Sequence, residues 1–291
     1  MIKRNQVNRF KTPAGNAWLK ETLIQQYDTY FEKGFFSKIA TLDQNEFCGS
    51  YLIRLLKVLE VIPLEYLDKK IKVLDVGCGE GQLLLILKKI GFDVCGIDKY
   101  AFMKRINTEG KDVGMQLKRF LADNAIDVKE IDVERDKIPY ANDSFDLVIC
   151  NAVIEHLHNS PKLVMQEMKR VLKPSGHLIV NVPNYASLGC RINMLRGRSN
   201  YGNLEKFYYE KETIDNKFIG HSRLYTVSDL KEIFHWERFK IIHCEMYSPH
   251  AKKLRYLPLY WLQRKGTGMG MILERLVKKF RDEILIIGQK P

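Results

Sequence analysis

A short apolar strand that runs into closely spaced glycines leaves a chain few ways to fold, and this one reads Val73-Leu-Asp-Val-Gly-Cys-Gly-Glu-Gly81. The run Ile71–Val76 reads as a strand, the glycines at 77, 79 and 81 as a turn, and Gln82–Ile90 as a helix. Strand, glycine turn and helix in that order open a doubly wound sheet, in which ligands sit beyond the carboxyl ends of the strands. Glycine lets backbone approach a ligand with no Cβ in the way. The helix start that follows offers free amides to an anionic group. The spacing departs from a dinucleotide fingerprint, because Gln82 stands where the third glycine would be. Asp75 also sets a carboxylate inside the strand end, where a pyrophosphate would be repelled. Both features argue against a dinucleotide.

The rest of the chain carries the pattern on. Strands are expected at Phe92–Ile97 (ended by Asp98), Ile126–Val133, Asp146–Cys150, His177–Val182, Phe239–Met246 and Glu283–Ile287. A helix is expected over Gly114–Asn124. Another starts at Ser160-Pro161, with Ser160 as N-cap, buries Val164, Met168, Val171 and Leu172, and stops at Lys173-Pro174-Ser175-Gly176. Thr226 and Asp229 form a capping box for a further helix. Apolar strands alternating with helices predict an α/β fold with a parallel sheet covered on both faces. Residues 1–65 read as a separate helical cap, with Leu19, Leu23, Tyr27, Tyr30 and Phe31 at helical spacing. Residues 66–291 form the main domain, with insertions at 185–225 and 249–281.

Charge adds less than its total suggests. The formal net charge is +12, yet residues 1–20 contribute +5 and residues 251–291 contribute +7, so the body between them is neutral. No apolar run follows the basic N-terminus, and the longest runs, such as Leu83–Leu87, are too short to cross a bilayer. Six cysteines are spread without a Cys-x-x-Cys pair, which suits free thiols in a reducing cytoplasm. The close pair His156 and His158 has no further ligand nearby in sequence, so no metal site is expected.

Asp98 follows Asp75 by 23 residues; a carboxylate there can accept both hydroxyls of an adenosine ribose, or simply cap the strand. Asp132, at the end of the third strand, could accept an exocyclic adenine amine. With Val73–Gly81, Ile138–Cys150, Asn151–Leu157 and Val171–Leu178 in order, the chain resembles the class I S-adenosylmethionine-dependent methyltransferases. The resemblance spans about residues 66–246 plus the terminal strand. It implies a doubly wound, Rossmann-like, seven-stranded sheet with the last strand antiparallel, and S-adenosylmethionine as cofactor. It implies a cofactor site of Asp75, Gly77, Cys78, Gly79, Gln82, Asp98, Lys99, Asp132, Val133, Asn151 and Ala152. Within it, Asp75 would hold the cofactor's ammonium, Asp98 its ribose, and Asp132 and Val133 its adenine.

Methyl transfer from a sulfonium needs mainly alignment, and a base only where the acceptor is a hydroxyl. His156 is either that base or a positioning residue. In Gly220–Thr226, an extended backbone would set His221, Arg223 and Tyr225 on one face, as a second base, a cation and an aromatic wall for the acceptor. The alternative is a lid whose polar residues fix the loop. Gly220–Thr226, and the stretch from Pro183–Leu188 through Arg191–Arg198, resemble methyltransferases of bacterial surface-glycan synthesis, which points to an oxygen of a sugar, glycolipid or other small molecule. An RNA- or quinone/lipid-directed methyltransferase is the alternative acceptor class. An NAD-dependent oxidoreductase and a non-catalytic adaptor of the same fold are the rival functions. Asn151-Ala-Val-Ile lacks the Pro-Pro-aromatic of amino-methylating DNA enzymes, and Cys150 lies on a buried strand, unsuited to pyrimidine C5 attack. Residues 252–281 alternate cations with Tyr256, Tyr260, Trp261 and leucines. This suits a solvated helical insertion first, peripheral contact with an anionic membrane next, and nucleic acid least.

Overall fold

A computed structural model describes residues 54–55, 57–63, 66, 70–99, 113–201, 204–209, 213–214, 217–218, 220–248 and 277–291. Most of the expected helical cap, and residues 252–276 of the basic insertion, lie outside the described residues. Near the start of the main domain, residues 54–55 and 57–61 are helical and bury Leu55, Val58 and Leu59.

Seven strands form one sheet: β1 (Lys72–Val76), β2 (Asp93–Asp98), β3 (Asp127–Glu130), β4 (Phe145–Asn151), β5 (Leu172–Pro183), β8 (Lys240–Tyr247) and β9 (Glu283–Gln289). A separate two-stranded ribbon joins β6 (Thr213–Ile214) to β7 (Lys217–Phe218). The order in the sheet is β3-β2-β1-β4-β5-β9-β8, and the strand last in sequence, β9, runs antiparallel to both of its neighbours. From residue 70 on, the helices among the described residues are α1 (Gln82–Ile90), α2 (Val113–Asp123), α3 (Lys162–Val171), α4 (Leu188–Leu195), α5 (Leu204–Tyr208) and α6 (Val227–Trp236). The seven-stranded α/β sheet expected from sequence, antiparallel last strand included, is the observed one. The chain divides into two compact units, residues 1–136 with 143–149, and residues 137–142 with 150–291.

In the first unit β1 and β2 pair in parallel, with Asp75 opposite Gly96 and Val76 opposite Ile97. Val73, Leu74, Val76 and Ile97 are buried, as are Leu83–Leu87 of α1, so strand runs and helix stripe share one apolar core. The third strand is shorter than expected. It ends at Glu130 because Asp132 starts a turn: its carbonyl accepts from Arg135 and Asp136, and its carboxylate from the Glu134 amide.

In the second unit α3 buries Val164, Met165, Met168 and Val171, and β9 is an unbroken buried run from Glu283 to Gly288. Helix α3 begins one residue later than expected: Pro161, at φ −68° and ψ −3°, is the N-cap and its carbonyl accepts from the Met165 amide, while Ser160 Oγ accepts from the Lys162 amide at 3.3 Å. The Thr226–Asp229 capping box is complete. A second boundary differs from the expectation. Residues 172–176 belong to β5 instead of ending α3 in a loop, because the Ser175 amide donates to Lys290 and the Lys290 amide to Gly176. Glu167 and Arg170 of α3 hold the 138–142 loop. Arg170 pairs twice with Glu167 and donates to the carbonyls of Ile138 and Tyr140, while Glu167 accepts from the Ile138 amide.

Candidate functional site

The sequence-expected residues fall into two groups, one in each unit. In the first unit the chain leaves β1 through Gly77, whose amide donates to the Ile97 carbonyl at 2.8 Å, followed by Cys78 to the same oxygen at 3.1 Å. Gly79 and Gly81 have φ of 53° and 79°. At Gly81 the positive φ favours glycine, and a Cβ there would stand 2.8 Å from Leu121 Cδ2, so the leucine would have to shift. At Gly79 nothing lies within 4 Å of where a Cβ would be, which leaves the loop open on that side.

Asp75 is 3% exposed at the end of β1. Burial, and secondarily the negative charge of Asp98, pushes its carboxyl up to about 7. A cation beside it would relieve that penalty, so the buried carboxylate suits a cationic ligand such as an ammonium. Asp98 is half-buried, and its Oδ2 accepts from the Gly79 amide at 2.9 Å, which ties the end of β2 to the glycine loop. Lys99 Nζ pairs with Asp132 Oδ2 at 3.1 Å, so two more expected residues meet. Val133 follows in the turn, half-buried. Gln82 donates to Glu80 Oε2 at 2.8 Å. Cys78 is buried, and burial raises its thiol well above the ordinary range, so it offers packing and no thiolate.

In the second unit Asn151 closes β4, and its Oδ1 accepts from Asn181 Nδ2 at 2.9 Å. Asn181 is fully buried and in turn accepts from the Tyr247 hydroxyl at 3.0 Å. Ala152 sits at φ 57°, unusual for a residue with a Cβ, and is held there by its amide donating to the Asn181 carbonyl at 2.8 Å. The chain then makes a 3-10 turn, Ile154–His156, with Glu155 buried and His156 exposed.

That turn carries a cluster. The amides of Ser222 and Arg223 both donate to the Glu155 carbonyl, at 2.7 and 3.2 Å, and His156 Nδ1 lies 3.1 Å from the Gly220 carbonyl oxygen. These bonds bring His221 against His156, ring centroids 4.8 Å apart and edge to face. The Glu155 carboxylate and the two imidazoles place one ligand-type atom each within 4.8 Å of one another. His158 is not part of this cluster.

The structure therefore brings His156 and His221 together but not the full face expected of residues 221–225. Tyr225 is 2% exposed, its hydroxyl reaches the Ile154 carbonyl at 3.5 Å, and burial pushes its phenol up to about 12. Arg223 is exposed, with its guanidinium 5.7 Å from the Tyr225 ring centroid. The segment is not a strand. A single bridge between Asn184 and Tyr225 turns the tyrosine inward, and the alternation of a strand is lost.

Glu155, Asn181 and Tyr247 were missed from sequence. Asn181 had a signal, as the one polar side chain within the apolar run Leu178–Val182. Glu155 had none beyond its place beside His156.

A family model described as a methyltransferase domain matches residues 44–246. A ubiquinone biosynthesis O-methyltransferase of Rickettsia typhi is 33% identical over 133 residues, 45% of this chain and 49% of that protein. One of the same name from Rickettsia bellii is 29% identical over 180 residues, 60% of this chain and 66% of that protein. The chain thus spans about half the length of most of the curated relatives it matches. Two solved S-adenosylmethionine-dependent methyltransferases share the fold. That of Mesorhizobium loti has TM-score 0.53 and 16% identity, over 83% of this chain and 98% of its own. That of Archaeoglobus fulgidus has TM-score 0.52 and 18% identity, over 85% and 97%.

Proposed function

The chain belongs to the methyltransferase-domain family and has the fold of S-adenosylmethionine-dependent methyltransferases, and from that premise we propose that it methylates an oxygen of a small-molecule acceptor. When bound, S-adenosylmethionine supplies a methyl group already activated as a sulfonium. The first unit's residues fit it: Asp75 offers a buried carboxylate to its ammonium, and the glycine loop offers open backbone beside Asp98. Lys99 pairs with Asp132 at 3.1 Å, which holds the Asp132 carboxylate in place.

The cluster of Glu155, His156 and His221 carries the choice of oxygen as the attacked atom. A hydroxyl must lose its proton before or during attack, and this is where groups that can assist that loss gather. With the cofactor bound, one of these groups would take the proton of the acceptor hydroxyl as its oxygen accepts the methyl group.

The names of the curated relatives favour a hydroxyl on a quinone-related aromatic ring. The sugar or glycolipid acceptor expected from sequence finds no counterpart in those names. Labelled S-adenosylmethionine offered with panels of dihydroxylated aromatics and of sugars tests the proposal. The expected product carries the label on a phenolic oxygen, located by NMR. Label on nitrogen or carbon would overturn O-methylation, and label on sugars alone would overturn the aromatic acceptor.

A further inference from the structure

We propose that Asn181 and Tyr247 are positioning residues that fix the direction of the Asn151 carboxamide, and that the Nδ2 donor so presented meets the acceptor oxygen as it loses its proton. The donor's target rests on the O-methylation reading; the relay that sets it rests on geometry alone.

The three residues come from three strands of the second unit. Asn181 on β5 lies opposite Leu285 on β9, and Leu285 lies opposite Glu245 on β8. Tyr247 is two residues beyond Glu245, so the pleat sets its side chain on the same face of the sheet as Asn181. There the Tyr247 hydroxyl donates to Asn181 Oδ1 at 3.0 Å, and Asn181 Nδ2 donates to Asn151 Oδ1 at 2.9 Å.

These bonds have one direction. A carboxamide donates at one end and accepts at the other, whereas a hydroxyl has a single hydrogen to give. Tyr247 spends that hydrogen on Asn181 Oδ1, which leaves Asn181 Nδ2 for Asn151, and Asn151 can receive it only on Oδ1. Asn181 is 0% exposed, and a buried amide that turned over would lose its pairing. Asn151, half-buried at the end of β4, therefore keeps Nδ2 as the end left for a ligand. Asn181 also holds the backbone that follows, since its carbonyl accepts from the Ala152 amide at 2.8 Å.

An N–H donor is repelled by a cation, so neither a sulfonium nor an ammonium suits Asn151 Nδ2. An acceptor oxygen does suit it. That oxygen gains negative charge as its proton leaves, and an aimed N–H stabilises the charge. It also has lone pairs to spare, one for the methyl group and another for the hydrogen bond. An amine nitrogen has only one, which the same donor would block, so the donor selects oxygen over nitrogen. Asn151 stands five residues before His156, on the segment that leads into the Ile154–His156 turn, so a donor and a group able to take the proton belong to one stretch of chain.

A double-mutant cycle tests the proposal, using full-length protein, labelled S-adenosylmethionine and catechol, or the best oxygen acceptor of the panel. Asn151→Ala should lower kcat at least about tenfold and Tyr247→Phe about three- to tenfold, with S-adenosylhomocysteine affinity kept in both. In the double variant, Tyr247→Phe should add nothing to the loss caused by Asn151→Ala. Losses that add would overturn the relay, because a merely structural tyrosine acts independently of Asn151. Weakened S-adenosylhomocysteine binding in Asn151→Ala with kcat unchanged would overturn the acceptor oxygen as the donor's target. Should Tyr247→Phe misfold, Asn181→Ser takes its place in the cycle. A second readout needs no acceptor: Tyr247→Phe should shift the Asn151 side-chain amide signal in NMR of the S-adenosylhomocysteine complex, and an unshifted signal would overturn the relay. In a protein that methylates no oxygen acceptor, the O-methylation reading and the donor's target fall together, while a shifted Asn151 signal still upholds the relay.

Discussion

The glycine loop of the first unit and the histidine cluster of the second are built in opposite ways. In the loop, function follows the chain: Asp75, Gly77, Gly79, Gly81 and Gln82 are successive or nearly so, and one strand and one helix hold them. In the cluster, Glu155 and His156 meet His221 from 65 residues further on, and backbone hydrogen bonds between two loops do the joining. A contiguous site is rigid because its elements are rigid. A site made of two loops depends on each contact that joins them, so equivalent substitutions should act differently in the two places.

The largest effect is expected in the cluster. His156→Ala should lower turnover about 100-fold or more while the affinity for S-adenosylhomocysteine stays nearly intact, measured by steady-state kinetics and calorimetry. Loss of both together would show that His156 supports the fold of both regions, and the contrast between them would fail.

A stability test comes next. Arg170→Ala removes the ion pair with Glu167 and the bonds that hold the 138–142 loop, and should cost about 2–4 kcal/mol in urea denaturation. A cost under about 0.5 kcal/mol would mean that the loop is held by its neighbours and not by α3.

On the loop side, Asp98→Ala should weaken S-adenosylhomocysteine by about 1.5–3 kcal/mol in calorimetry, the range for a hydrogen bond to a charged group. Turnover at saturating cofactor should change little. Unchanged binding would remove Asp98 from the cofactor site and leave it as the anchor of Gly79.

The smallest effect is a slope. The Asp75 carboxyl is raised from 3.8 to about 7 in the folded protein. A raised pKa favours the folded state while the group is protonated, so this contribution is complete below about pH 4 and is lost as pH rises through about 7. A bound ammonium reverses the preference by favouring the carboxylate. Affinity for S-adenosylhomocysteine should therefore fall as pH drops below about 7, by at most about 1.4 kcal/mol per pH unit. Calorimetry at several pH values should find the slope in wild type and not in Asp75→Asn. A slope that survives the substitution would assign it to another group.

Much of the first unit was legible because its signals are local. The strand at 72–76, the helix at 82–90 and the glycines at positive φ follow from residues that touch their chain neighbours. Even there the third strand was overextended, because the Asp132 turn competes with strand pairing through a side chain whose choice of partner is not visible in apolar alternation. In the second unit the capping box at Thr226 was legible for the same local reason. The inward turn of Tyr225 was not, since period-two alternation holds only for a residue in a strand, and a single bridge to Asn184 replaces the ladder.

The sheet, the glycine turn and the family could be read from the order of residues alone, because hydrophobic periodicity and backbone freedom act over a few residues. Which histidine stands beside His156 emerged only from the folded chain. His158 is nearer by far in sequence, yet the amides of Ser222 and Arg223 close on the Glu155 carbonyl and bring His221 instead. Hydrogen bonds between distant loops carry no period, so they show only once the chain has folded.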